Sequence, residues 1–152
     1  MPRLRLIIVL FVLALAGLGA HASEAAPDKQ QARSEVGNEV VRYARTFLGV
    51  PYRWGGMSPR NGFDCSGLVA FVYRHFGISL PHYTVAQFAT GRHVLRPNLL
   101  PGDLVFFSGL EHVGLYVGHG RFIHAPHAGA RVRIDSLYGS WRGQLIGARR
   151  VT

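Results

Sequence analysis

Apolar positions along the chain follow two periods. Up to about residue 100 they recur at helical spacing; beyond it they come in short runs cut by glycine turns, as strands do. From Ser34, the positions Val36, Val40, Tyr43 and Phe47 form one helical stripe, with Ser34 as N-cap and Gly49 and Pro51 as the stop. A second helix opens at Cys65, where Cys65, Leu68, Val69, Val72 and Phe76 share a face and Gly77 stands at the C-terminal cap. Residues 84–89 predict a short third helix closed by Gly91, and residues 92–100 read as a surface connection. Strands are predicted over 104–107, 112–117, 121–125, 131–135 and 146–151. Tight turns between most of them call for a largely antiparallel sheet. Helices first and strands after make an α+β domain.

The extreme N-terminus adds a compartment. Arg3 and Arg5, an apolar run over 6–18 and then Ala20-His21-Ala22 have the order of a secretory signal peptide, cut before Ser23. The run is short for a bilayer span, so no stable membrane anchor is expected. Residues 23–33 are polar without a period and read as a flexible leader. That leaves 34–152 as one domain with no second module. The net charge of +9 comes almost entirely from arginine, with Lys29 the only lysine. It suits an anionic cell-envelope polymer, and a solubilising surface explains it equally well. The charge is spread and lacks a basic stripe with interleaved aromatics, so nucleic acid is not an expected partner.

Chemistry enters with Cys65, the only cysteine. A lone thiol in an exported chain is an intermolecular link or a reactive group. At a helix start, the dipole favours thiolate, and free backbone N–H groups can hold an oxyanion. A small buried apolar residue is the other reading of the same cysteine, and a base decides between them. Among the eight histidines, His112 begins a predicted strand and His124 lies on the strand paired with it. They share a face only if opposed residues have an even index sum. A two-residue turn at His119-Gly120 gives an odd sum; a three-residue loop, Gly118-His119-Gly120 with Gly120 left-handed, gives an even one. The glycines favour the loop, which puts both histidines together as base and orienter for the thiol. His75 suits a helix C-terminus, and His82, His93, His119 and His127 read as surface residues. Tyr52 and Trp54, on the glycine-rich loop ahead of Cys65, either wall a cleft or anchor the core. One cysteine and two histidines also make a zinc set. Nucleophile, base and orienter explain the residues without an ion, so no metal or cofactor is expected.

Several ordered motifs then resemble one family. Pro51-Tyr52-Arg53-Trp54-Gly55-Gly56, Phe63-Asp64-Cys65-Ser66-Gly67-Leu68-Val69, Leu100-Pro101-Gly102-Asp103-Leu104-Val105-Phe106-Phe107, His112-Val113-Gly114-Leu115-Tyr116-Val117-Gly118 and Phe122-Ile123-His124-Ala125 are similar to the NlpC family of papain-like cell-wall cysteine peptidases. The resemblance implies a papain-like core of helices packed on an antiparallel sheet. It implies Cys65 as nucleophile, His112 as base and His124 as the orienting third residue. It also implies Tyr52 near the oxyanion and substrate, and Asp64 and Ser66 as candidates to bind the free amine of a stem peptide. Relatives with that last role carry an SH3-like domain that this chain does not show, and many have Arg where His82 stands. The expected function is an exported endopeptidase of peptidoglycan stem peptides or crosslinks; any regulatory adaptor is unknown. The alternatives are a non-catalytic envelope-binding or assembly module of the same fold, and a thiol-dependent acyltransferase or amidase on another substrate.

Overall fold

Two clusters of buried apolar side chains lie on opposite faces of one sheet, and the larger lies beneath the helices. The computed structural model describes residues 29–152; the predicted signal peptide and residues 23–28 of the predicted leader lie outside the described residues. Helix α1 spans Lys29–Arg45, α2 Cys65–His75 and α3 Thr84–Phe88. A two-stranded hairpin, β1 (Met57–Ser58) and β2 (Gly62–Phe63), sits between the first two helices in the chain. The main sheet contains β3 (Arg92–Val94), β4 (Leu104–Phe107), β5 (Val113–Gly118), β6 (Arg121–His124), β7 (Arg133–Ser136) and β8 (Leu145–Arg150). Its order is β3-β8-β4-β5-β6-β7, with every neighbouring pair antiparallel. This is the expected α+β arrangement.

The larger cluster joins Val40, Ala44 and Phe47 from the α1 segment, Leu68, Val69 and Val72 from α2, and Val113, Leu115 and Ile123 from the sheet. The smaller one, on the other face, holds Val105, Phe107, Phe122 and Leu137, with Tyr116 and Trp141 packed against it. The alternation along β5 and β6 feeds both clusters, because successive strand residues point to opposite faces.

Three expectations need correction. Helix α1 starts at Lys29 rather than Ser34, so residues 29–33 are helical and not a flexible leader. Those residues are good helix formers with no breaker among them, and an apolar period is not needed to extend a helix already packed further on. Val36 is 41% exposed and lies outside the buried stripe. Finally, 92–100 is not merely a connection, because Arg92–Val94 forms the edge strand β3 on β8. A three-residue polar strand is too short to show alternation in sequence.

The hairpin between β5 and β6 decides where the histidines go. Leu115 opposes Ile123 and Tyr116 opposes Phe122, an even sum, as required for His112 and His124 to share a face. The route differs from the expected three-residue loop. Gly118 pairs with Arg121 around a two-residue turn in which both His119 (φ 53°) and Gly120 (φ 66°) are left-handed, and a register shift between Tyr116 and Gly118 restores the even sum.

Candidate active site

Cys65 is placed by the start of α2. Asp64 is the N-cap: its Oδ1 accepts the backbone N–H of Gly67 at 2.7 Å. The same carboxylate accepts the N–H of Gly55 at 2.9 Å and the hydroxyl of Ser66 at 3.3 Å. His82 Nε2 sits in its fork, 2.7 and 2.8 Å from the two oxygens. Asp64 therefore binds the Trp54 loop, the first turn of α2 and the segment before α3 into one unit. His82 is not the free surface residue expected of it. Its side chain is 26% exposed and its ring is held by Asp64. Gly67 is required by close approach, since a Cβ there would lie 2.0 Å from the carbonyl oxygen of Gly56.

The sulfur of Cys65 lies 3.9 Å from the Thr84 hydroxyl and 3.9 Å from the carbonyl oxygen of Glu111. Burial pushes the Cys65 thiol above its ordinary pKa, against the Thr84 hydroxyl and the backbone N–H groups of Val113 and Ser66, which favour thiolate. Desolvation of the sulfur therefore works against the thiolate that the helix start favours.

The histidines lie on the sheet face of the smaller cluster. His112 immediately precedes β5, and the Phe107 N–H bonds its carbonyl oxygen at 3.1 Å across the loop 108–111. His124 ends β6 and is completely buried. The two rings meet directly, with His112 Nε2 and His124 Nδ1 2.7 Å apart. Gly114 makes room for them, since a Cβ there would lie 2.6 Å from the Phe122 ring and 3.3 Å from the His124 Cβ. Trp141 covers the pair, stacked on His112 at 5.0 Å between centroids and edge-on to His124 at 5.2 Å.

Behind His124 stands Asp135, which sequence reasoning missed. Its Oδ2 is 3.0 Å from His124 Nε2, and it also accepts Trp141 Nε1–H at 3.0 Å and the Arg133 guanidinium at 3.0 Å. Burial raises the pKa of the Asp135 carboxyl, but the bonds from Arg133, Trp141 and His124 outweigh it and bring the value down to about 2. Burial holds His112 neutral, with its pKa down to about 3, and His124 likewise, down to about 4. The two histidines turn their facing nitrogens on each other rather than toward a common point, which is not the arrangement of a metal site. Among the described residues no group of three or more metal-ligating side chains converges.

Cys65 and His112 open onto one cleft of about 690 Å³, also lined by Tyr52, Trp54, Asp64, Ser66, His82, Tyr83 and Glu111. Every candidate site residue except His124 thus faces this cleft, and His124 lies directly behind His112. Burial, Cys65 and Asp64 together raise the pKa of the Tyr52 phenol, which keeps it a hydrogen-bond donor.

This arrangement can be set against known proteins. Residues 49–150 match the model of the NlpC/P60 family. The chain belongs to the NlpC/P60 family. Among curated NlpC/P60 relatives, it is 43% identical over 118 residues to the gamma-DL-glutamyl hydrolase of Bacillus subtilis, covering 73% of this chain and 28% of that protein. It is 43% identical over 113 residues to the murein DD-endopeptidase MepH of Escherichia coli, covering 68% and 42%. The chain thus spans less than half the length of these relatives. A solved NlpC/P60 family protein from Bacillus cereus superposes with a TM-score of 0.72 at 35% identity, over 76% of this chain and 40% of that one. The resemblance in the motifs and the α+β fold are thereby established.

Proposed function

We propose that this chain is an exported cysteine endopeptidase that hydrolyses amide bonds in peptidoglycan stem peptides or their crosslinks. The observation that carries the reading is the continuous polar row running from Asp135 through His124 to His112, which ends in the same cleft as the Cys65 thiol. Peptidoglycan is favoured as the substrate because a relative is named as a murein DD-endopeptidase.

His112 takes the thiol proton as Cys65 sulfur attacks the amide carbonyl, forming a tetrahedral adduct. Collapse of the adduct breaks the C–N bond, and the protonated His112 delivers its proton to the leaving amine. Water then attacks the thioester with His112 as base, releasing the acid and restoring the thiol. A neutral imidazole opening onto the same cleft as the thiol suits this sequence, because the base is available at neutral pH. Backbone N–H groups at the start of α2 and the Tyr52 hydroxyl supply donors toward the developing oxyanion. Asp64 is already engaged by its own loop, so amine recognition rests more on the free carboxylate of Glu111 at the cleft wall than on Asp64.

The test is mass spectrometry of crosslinked peptidoglycan fragments incubated under reducing conditions with wild type and with Cys65→Ala. New peptides from wild type alone are expected, and their masses identify the bond cut. No new peptides from either folded protein would overturn the reading in favour of an envelope-binding module.

A further inference from the structure

We propose that Asp135 is a positioning residue that acts through His124 to fix the tautomer of His112, leaving Nδ1 of the base bare for the Cys65 proton. The inference rests on the assignment of Cys65 and His112 as nucleophile and base, and it adds a residue that touches neither the thiol nor the cleft. Asp135 is tied to Arg133 and Trp141, both of which only donate, so its oxygens accept and the carboxylate stays ionised. An ionised carboxylate can only accept from His124, so His124 Nε2 carries hydrogen. A neutral imidazole has one N–H, so His124 Nδ1 presents a lone pair. The contact at 2.7 Å to His112 then requires hydrogen on His112 Nε2. His112, neutral in turn, has its lone pair on Nδ1, which none of these bonds consumes.

Reversing any one step reverses all that follow. If Asp135 donated to His124, the proton would move to His124 Nδ1, His112 Nε2 would accept, and His112 Nδ1 would hold hydrogen and be useless as a base. The row is also the route by which a distant carboxylate stabilises the imidazolium formed during attack. Position on the sheet makes this possible: Asp135 opposes Phe122 in the register of β6 and β7, so it shares a face with His124 two residues along. The other ionisable neighbours of the row are Arg133 on β7 and His127 on the loop after β6. Neither of them offers a carboxylate to His124.

The decisive measurement is the ring-nitrogen spectrum of the full chain labelled with 15N-histidine, for wild type, Asp135→Asn and Asp135→Glu. It needs no substrate and reads the tautomers even if peptidoglycan proves to be the wrong polymer. Wild type is expected to show Nε2–H on both His112 and His124. Asp135→Asn, whose amide can donate, is expected to shift hydrogen onto Nδ1 in part of the population, and Asp135→Glu to restore the wild-type pattern. In parallel, alkylation of Cys65 by iodoacetamide across pH is expected to slow roughly tenfold near neutrality in Asp135→Asn. On a cleavable substrate kcat is expected to fall roughly 10²-fold with KM unchanged. A wild-type spectrum with Nδ1–H on either ring would overturn the proposal. So would Asp135→Asn that is folded by circular dichroism and keeps wild-type tautomers. If Asp135→Asn does not fold, the wild-type spectrum alone carries the decision.

Discussion

The two walls of the cleft are built in opposite ways. On the helix side, Asp64, Cys65, Ser66 and Gly67 are consecutive, and one N-cap carboxylate organises them together with Gly55 and His82. On the sheet side, His112, His124, Asp135 and Trp141 come from four separate segments and meet only because β5, β6 and β7 are in register. The first wall is secured through the single carboxylate of Asp64, so damage to it should take one of two forms: lost chemistry or a lost cap. The second is a cooperative row in a dry environment, where each partner sets the protonation of the next. Damage there should spread along the row and depend on pH.

The largest effect should come from the thiol itself. Cys65→Ala is expected to abolish amide hydrolysis, a loss of at least ~10³-fold, with thermal unfolding close to wild type. A wild-type rate in this variant would remove the helix wall from the chemistry. Next comes the first member of the sheet row. His112→Gln is expected to lower kcat by roughly 10²- to 10⁴-fold while the fold persists, as read by circular dichroism beside the assay.

Acid should separate the walls more sharply than any mutation. His112 and His124 are held down to about 3 and about 4 when folded, against 6.5 for the free group. Below pH 6.5 the unfolded chain binds protons that the folded chain does not, so this contribution to stability is lost as pH falls from 6.5 toward 4. Above about pH 7 both states carry neutral rings and the contribution is flat. Urea midpoints at pH 7 and pH 5 should therefore differ, and the double change His112→Gln with His124→Gln should reduce the difference. An unchanged slope in that variant would place the acid sensitivity elsewhere.

Smaller effects belong to the helix wall and its rim. Asp64→Ala removes the cap of α2 and is expected to cost about 1–2 kcal/mol in urea unfolding, with activity falling further as Cys65 and His82 lose their anchor. Trp54, 87% exposed at the cleft, has little to do with the core. Trp54→Ala is expected to leave stability within ~0.5 kcal/mol and to raise KM by a few-fold. An unfolding midpoint well below wild type would make Trp54 an anchor rather than a wall.

The sequence by itself determined what depends on neighbours along the chain. The helical period and Gly77 marked α2 and the turns marked β4 to β8, whereas the shared face of His112 and His124 was inferred through a three-residue loop and is reached instead by a two-residue turn with a register shift in β5. Ordered motifs carried the family, because they record spacing along one backbone. Tertiary structure decided everything that rests on a distance between segments. Residues 125–132 between β6 and β7 set no register in sequence, so nothing there indicated that Asp135 would stand behind His124. His82 looked like a loop histidine because its partner is far away in sequence. The desolvation that raises the Cys65 pKa is tertiary too, because it exists only once side chains from the other elements have closed around the sulfur.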